Sequence, residues 1–235
     1  MGKNKLSRFE EMLHFDRVFQ PSFHEVYGRD YYLKGCWSKR VFHNNNPIIL
    51  ELGCGKGEYT IGMAKLFPRR NFIGIDIKGA RIWKGAKIAN DTNLSNTAFL
   101  RTRIEWIQSY FGQGEIDEIW ITFPDPQLKR RRKKKRLTGA LFLNSYRNLL
   151  KDNGIIHLKT DHAILYNDTL SLLKFNGLEI LMQAADLYSS PPVDPVLSIP
   201  TFYESQFLEE GIPIRYVSFK LPSRKEIIDL EDEEA

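Results

Sequence analysis

Residues 51–57 read Glu-Leu-Gly-Cys-Gly-Lys-Gly, between the apolar run Ile48-Ile49-Leu50 and the helix-like Tyr59-Thr60-Ile61-Gly62-Met63-Ala64. A strand, a glycine turn and a helix in that order make a nucleotide-type binding corner. The glycine spacing narrows the ligand. A dinucleotide fingerprint needs Gly-x-Gly-x-x-Gly, whose third glycine lets the helix pack close under a pyrophosphate. Here the glycines are Gly53, Gly55 and Gly57, and Glu58 takes the third-glycine place. A carboxylate in the first helical turn repels a diphosphate seated on that helix N-terminus. S-adenosylmethionine has an amino-acid end, a sulfonium cation and a ribose but no phosphate, so it meets no such objection. Glu51 at the strand end can face its cationic end. Asp76, after the apolar strand Phe72-Ile73-Gly74-Ile75, can accept from both ribose hydroxyls. Asp76 lies 19 residues past Gly57, close to what a strand-helix-strand unit requires. On these residues alone a chance glycine turn in some other α/β protein stays open.

The chain has 235 residues, 42% of them hydrophobic, enough for one substantial core. No run of eighteen apolar residues occurs, so no membrane-spanning helix is expected. The start, Met1-Gly2-Lys3-Asn4-Lys5-Leu6, lacks the apolar centre of a signal peptide, and Leu6 stands where a myristoylation motif wants Ser or Thr. Cys36 and Cys54 have neither metal-ligand spacing nor a disulfide framework, so no metal and a reducing cytoplasm are expected. The net charge of +5 hides an asymmetry. Residues 129–136 read Lys-Arg-Arg-Arg-Lys-Lys-Lys-Arg; the other 26 of the 34 basic residues face 29 acids, leaving the rest of the chain at −3. The last ten residues, Glu226–Ala235, hold six acids and read as a solvated tail.

Three segments are expected: a basic, aromatic-rich and loosely ordered arm over 1–44, a domain over 45–222, and an acidic tail over 223–235. The domain's apolar runs and turn residues predict strands at 47–51, 71–75, 97–100, 118–122, 155–159, 178–182 and 214–221. Helices are predicted at 58–67, 79–90, 104–111, 138–150, 162–175 and 201–210. Asp152-Asn153-Gly154 reads as a turn into the fifth strand, and the stretch with Pro191, Pro192, Pro195 and Pro200 as a loop. The alternation implies an α/β, Rossmann-like fold: a mostly parallel seven-stranded sheet, helices on both faces, an antiparallel edge, and ligands at the strands' carboxyl ends.

Phe123-Pro124-Asp125-Pro126-Gln127-Leu128 follows the fourth strand, and the eight cations follow it directly. That strand is expected beside the first, which places Asp125 across the mouth from the glycines. Two flanking prolines restrict its backbone. A rigid surface turn is the plain alternative; the position at a strand's carboxyl end favours a functional carboxylate. A cationic run is usually a solvated face or an address signal. Beside a reaction centre it suits a polyanion, with Arg130, Arg131, Arg132, Lys133 and Lys134 as a phosphate clamp that positions without reading sequence. Thr160-Asp161 ends the fifth strand, and Thr201-Phe202-Tyr203-Glu204 follows the proline loop. A carboxylate there suits the N1–H and N2–H₂ donor edge of guanine. Asp161 also fits a helix N-cap. His157, alternating within a strand, reads as packed.

Together these residues resemble the bacterial tRNA (guanine-N7)-methyltransferase family, which is class I, depends on S-adenosylmethionine and methylates the variable-loop guanine at tRNA position 46. The resemblance spans about 48–220 and rests on Glu51-x-Gly53-x-Gly55-x-Gly57, Asp76, Phe123-Pro124-Asp125-Pro126 with Lys129 and the basic run, Thr160-Asp161, and Thr201-x-x-Glu204. It implies cofactor contacts at Glu51, Asp76 and Asp125, and substrate contacts at Lys129, Asp161, Thr201 and Glu204. Two departures from the family matter. Gln127 and Leu128 replace its usual aromatic and histidine, and Arg103 stands where an Asp or Asn normally meets the cofactor. The Arg103 side chain cannot accept a hydrogen bond, so backbone groups of Arg103 or Ile104 are the substitute.

Guanine N7 carries an in-plane lone pair and no proton, so its methylation needs no general base. The expected catalysis is alignment plus carboxylate stabilisation of a ring that becomes cationic, with Asp125 as the catalytic group and Asp161 beside it. An exocyclic-amine methyltransferase wants an Asn or Asp, two prolines and an aromatic, which Pro126-Gln127 breaks. A non-catalytic RNA-binding protein on the same fold would have shed Glu51, Asp76 or Asp125. A nicotinamide dehydrogenase is disfavoured by Glu58. The expected partner is tRNA, with neither membrane nor metal, and with monomer and homodimer both open.

Overall fold

A computed structural model describes residues 3–189 and 193–230; Pro191, Pro192 and the last acids of the tail lie outside them. The N-terminal segment holds α1 (Lys3–Met12), β1 (Val18–Phe19) and α2 (Phe23–Val26). Then come β2 (Ile48–Leu52), α3 (Glu58–Leu66), β3 (Asn71–Asp76), α4 (Gly79–Asp91), β4 (Thr97–Arg101) and β5 (Ile116–Thr122). The chain closes with α5 (Ala140–Leu149), β6 (Leu150–Thr160), α6 (Ala163–Phe175), β7 (Ile180–Ala184), α7 (Phe202–Glu209) and β8 (Arg215–Leu221). Every residue of β2 and β3 is buried, as a parallel strand covered on both faces requires; this is why they read as continuous apolar runs.

The sheet order is β1-β4-β3-β2-β5-β6-β8-β7, with β8 antiparallel to both neighbours and the remaining pairs parallel. The expected antiparallel pair closes one edge, and β8 lies one place in from it. The sheet has eight strands rather than seven. The extra one, β1, pairs Val18 with Phe99 and Phe19 with Leu100, and two residues are too few to leave a periodic signal. Strand order reverses between β2 and β5, and a crevice opens at the carboxyl ends of strands at such a point. The expected turn at residues 152–154 is instead an irregularity inside β6. Leu150 already pairs with Ile116, and pairing resumes at Ile155 with Glu118, with Asn153 left-handed at φ 57° between them.

The N-terminal segment is packed, which corrects its reading as a loosely ordered arm. Trp37 is fully buried, stacks on Phe111 at 5.3 Å and donates from Nε1 to the Tyr110 carbonyl at 2.8 Å. Gly35 N and Trp37 N donate to the Glu115 carboxylate at 2.8 and 3.0 Å. Tyr31, Leu33, Val41 and Phe42 join the same core. The aromatic content serves packing, and irregular backbone explains the missing period. The tail also begins packed. Ile227 is buried, and the Asn144 and Asn176 amides each exchange two hydrogen bonds with the backbone, of Ile227 and Ile228 respectively.

Trp37→Ala should therefore destabilise the protein by about 3–5 kcal/mol, the range for emptying a large buried aromatic site. Urea unfolding of the variant checks this; an unchanged midpoint would mean that the segment is no part of the core.

Candidate active site

Gly53, Gly55 and Gly57 all take positive φ, at 78°, 55° and 71°. They are not equivalent. A Cβ at Gly53 would meet nothing within 4 Å, and one at Gly55 only the Gly53 carbonyl at 4.0 Å, so this part of the turn faces open space. A Cβ at Gly57 would fall 2.7 Å from Phe99 and 3.2 Å from the Gly85 Cα. Gly57 and Gly85 thus let α3 and α4 cross closely, which holds the turn. Gly85 was absent from the sequence reading, although a glycine inside a helical pattern is a signal for close approach.

Glu51, next to last in β2, is 2% exposed. Its Oε2 accepts from the Thr60 backbone N–H at 2.8 Å and from the Thr60 hydroxyl, and its Oε1 from the Thr122 hydroxyl at 2.8 Å. Burial raises its pKa to about 7 against these lowering hydrogen bonds, and no cation neutralises it among the described residues. Asp76, at the end of β3, accepts from Gly55 N at 2.9 Å and from Lys78 N at 2.7 Å, one donor on each oxygen. Each oxygen keeps an acceptor site for a hydroxyl. Thr102 N donates to the Asp76 carbonyl, which sets residues 102–104 beside it. The Arg103 guanidinium turns instead over the Trp106 ring, 5.6 Å from its centre. Glu58 is used structurally: it accepts from Phe202 N at 2.8 Å, while the Lys56 ammonium lies 3.6 Å above the Phe202 ring.

Across the crevice, Phe123 and Gln127 bracket Pro124-Asp125-Pro126, both at φ 48°. Left-handed non-glycine residues cost roughly 1–3 kcal/mol each and survive only where surroundings hold them. The holders are identifiable. Phe123 N donates to the Lys159 carbonyl at 2.8 Å, and Gln127 N to Asp125 Oδ1 at 2.9 Å. Arg136 donates to the Pro126 carbonyl at 2.9 Å and pairs with Asp168. Asp125 itself is exposed. Arg136, last of the eight cations, is buried and braces this loop, so the exposed run is Lys129 to Lys135. Residues Arg130–Lys135, which include Arg131, Arg132, Lys133 and Lys134, form a 3₁₀ helix with Lys129 at its N-cap.

The second wall is a charged knot. Lys159, fully buried on β6, pairs with Glu204 Oε1 at 2.6 Å and donates to the Leu197 carbonyl. Burial pulls the Lys159 pKa down, and Glu204 opposes this. The Tyr188 hydroxyl also donates to Glu204 Oε1, at 2.6 Å, whereas the buried Oε2 has no partner among the described residues. Thr201 caps α7, accepting from Glu204 N at 3.2 Å. Asp161 is half-buried; its carbonyl accepts from Arg215 at 2.7 Å, and its carboxylate has no partner among the described residues. It does not cap α6: the N-cap is His162, with no side-chain cap bond. His157 is packed as expected, stacked on Trp120 at 3.9 Å. Lys159 was missed because a lone lysine in a strand reads as solvent-facing.

Thr122 pairs with Lys159, and Glu51 with Trp120, so the strand ends carrying Glu51, Asp125 and Asp161 leave the sheet side by side. The sheet order and glycine corner define a Rossmann-like methyltransferase fold. The 16S rRNA methyltransferase KamB shares it with a TM-score of 0.60 and 11% identity, over 78% of this chain and 92% of that one. The family described as "Putative methyltransferase" matches residues 45–216. A tRNA (guanine-N(7)-)-methyltransferase of Christiangramia forsetii is 53% identical, over 94% of this chain and 99% of its own length. One from Bacteroides fragilis is 47% identical, over 97% and 89%. The chain belongs to the tRNA (guanine-N(7)-)-methyltransferase family.

The raised Glu51 pKa has a sign. The folded protein keeps this proton up to about pH 7 and the unfolded chain loses it near 4.5, so the stability it contributes is full below about 4.5 and lost as pH rises through 7. Glu51→Gln should remove that slope, worth on the order of 3 kcal/mol across the window. Urea unfolding of both proteins between pH 4.5 and 8 checks it; parallel profiles would contradict the assignment.

Proposed function

We propose that this enzyme transfers the methyl group of S-adenosylmethionine to N7 of the variable-loop guanine of tRNA. The observation that carries the reading is a strained, braced loop holding Asp125 across from an acid-lined glycine turn and immediately ahead of seven exposed cations. The donor set suits this cofactor: open space at Gly53 and Gly55, Asp76 with acceptor capacity on both oxygens, and a buried Glu51 without a counter-charge. When bound, the cofactor supplies an electrophilic methyl on a sulfonium cation. Asp76 takes the ribose hydroxyls, residues 103–104 offer backbone groups to the adenine, and Glu51 favours the cationic end. Arg103 contributes no side-chain contact to the cofactor.

Asp125 meets the cofactor's reacting end and the base, stabilising the positive charge that builds on guanine as N7 is alkylated. No proton leaves N7, so the site needs no base, and its carboxylates suffice. Asp161, with an unengaged carboxylate, accepts from the guanine donor edge. Thr201 and Glu204 form the opposite wall, where Glu204 can accept only through Oε2. Lys129 holds the reacting nucleotide's phosphate, and Arg130 to Lys134 clamp the backbone beyond it. The reading places the enzyme in the cytoplasm with its tRNA. No described helix is long and apolar enough to cross a membrane.

Mass spectrometry of nucleosides from tRNA incubated with enzyme and S-adenosylmethionine should show one 7-methylguanosine per chain. Asp125→Asn should slow single-turnover methylation with tRNA affinity nearly intact; a surviving rate with weakened cofactor binding would make Asp125 a binding residue alone. Asp76→Ala should weaken cofactor binding by about 1–3 kcal/mol in calorimetry, the loss expected for charge-assisted hydrogen bonds.

A further inference from the structure

The site accounts for the cations but not for a group of exposed aromatic residues on the same rim. Phe23 and Tyr27, on and after α2, are 44% and 69% exposed, with rings 4.6 Å apart. Phe23 also meets Trp106 at 5.3 Å. Trp106 belongs to the 3₁₀ turn Ile104–Ser109, directly after β4, so it stands at the carboxyl ends of the strands. α5 runs antiparallel to β6, and its first turns stand at that same end; Gln108 joins the two by donating to Ser145 at 3.2 Å. Between them lies a groove of about 630 Å³ lined by Tyr27, Trp106, Gln108 and Leu141, a volume in the range of small-ligand sites. Leu141, 64% exposed, also lines a second cavity, of about 670 Å³, whose wall includes Lys134 of the basic segment. The aromatic groove and the cavity beside the basic segment therefore adjoin at Leu141.

We propose that this groove is a second RNA subsite, which stacks an unpaired nucleobase of the same tRNA on Tyr27 and Trp106. The inference rests on tRNA being the substrate. Aromatic faces beside a cationic track are how proteins hold unpaired nucleotides, because every base offers a π-face. The charge pattern agrees. The Arg103 guanidinium over Trp106 has no carboxylate partner among the described residues and can meet the phosphate beside the stacked base. Among the polar groups that line the groove, the Glu105 carboxylate and Gln108 Oε1 are acceptors and suit a base edge that presents N–H donors.

Salt separates stacking from phosphate contact. Ion release makes a phosphate contact weaken with salt, whereas loss of a stacking face lowers affinity equally at all salt concentrations. Binding of an unmodified tRNA transcript to the full chain, from about 50 to about 200 mM salt, is the experiment. Tyr27→Ala should weaken binding roughly tenfold at every salt with an unchanged slope, and Tyr27→Trp should restore it. Trp106→Leu, which keeps apolar packing, should act in the same direction. Replacing Arg131, Arg132, Lys133 and Lys134 by Gln should instead flatten the slope by roughly 2 units. If that slope stays unchanged while Tyr27→Ala still weakens binding, the clamp reading fails and the stacking subsite stands. Unaltered tRNA affinity in both aromatic variants overturns the subsite. So does an aromatic variant that sediments as a smaller species with per-chain affinity unchanged, since the face would then belong to a second copy of the chain.

Discussion

Glu51 lies near the end of β2 inside the protein, where donors from α3 and β5 converge on its carboxylate. Three elements meet there, at the point where the strand order reverses. The glycine turn springs from the next residues and is fixed on its far side by Asp76 and by the Gly57–Gly85 crossing. The crevice geometry follows from these contacts: with one carboxylate shared between strand and helix, the turn cannot shift without breaking buried hydrogen bonds. The cost is a carboxyl group kept near neutral pH in its protonation, which a cationic ligand would offset.

Strain and bracing are paired on the opposite side. Two left-handed residues hold the Asp125 loop in a shape the chain would not adopt alone, and buried cations supply the restraint. Arg136 ties the loop to α6, while Lys159 ties the neighbouring strand to α7 through Glu204. Positive charge serves two ends here. Buried cations shape the walls, and a run of exposed cations begins a few residues from Asp125.

Much of this was legible in the sequence. Continuous apolar runs marked the buried strands, and the glycine spacing marked the turn between β2 and α3. Pro-Asp-Pro before the cationic run marked the second wall. Each is a local signal, carried by neighbours within a few residues. The errors were also physical in origin. β1 is too short for a period, the turn at 152–154 became a bulge because β5 pairing begins before it, and the aromatic N-terminal segment packs through irregular backbone.

The sequence by itself determined the order of elements and the place of the glycine turn, because propensity, period and spacing act over short stretches of chain. Tertiary structure alone decided the accessibility of the charged groups. Glu51 and Glu204 are buried and partnered while Asp125 is exposed, Arg136 leaves the cationic run to brace a loop, and Arg103 turns from the cofactor corner to Trp106. Burial and ion pairing join residues tens of positions apart, as Lys159 and Glu204 do, and only the folded chain brings such partners together.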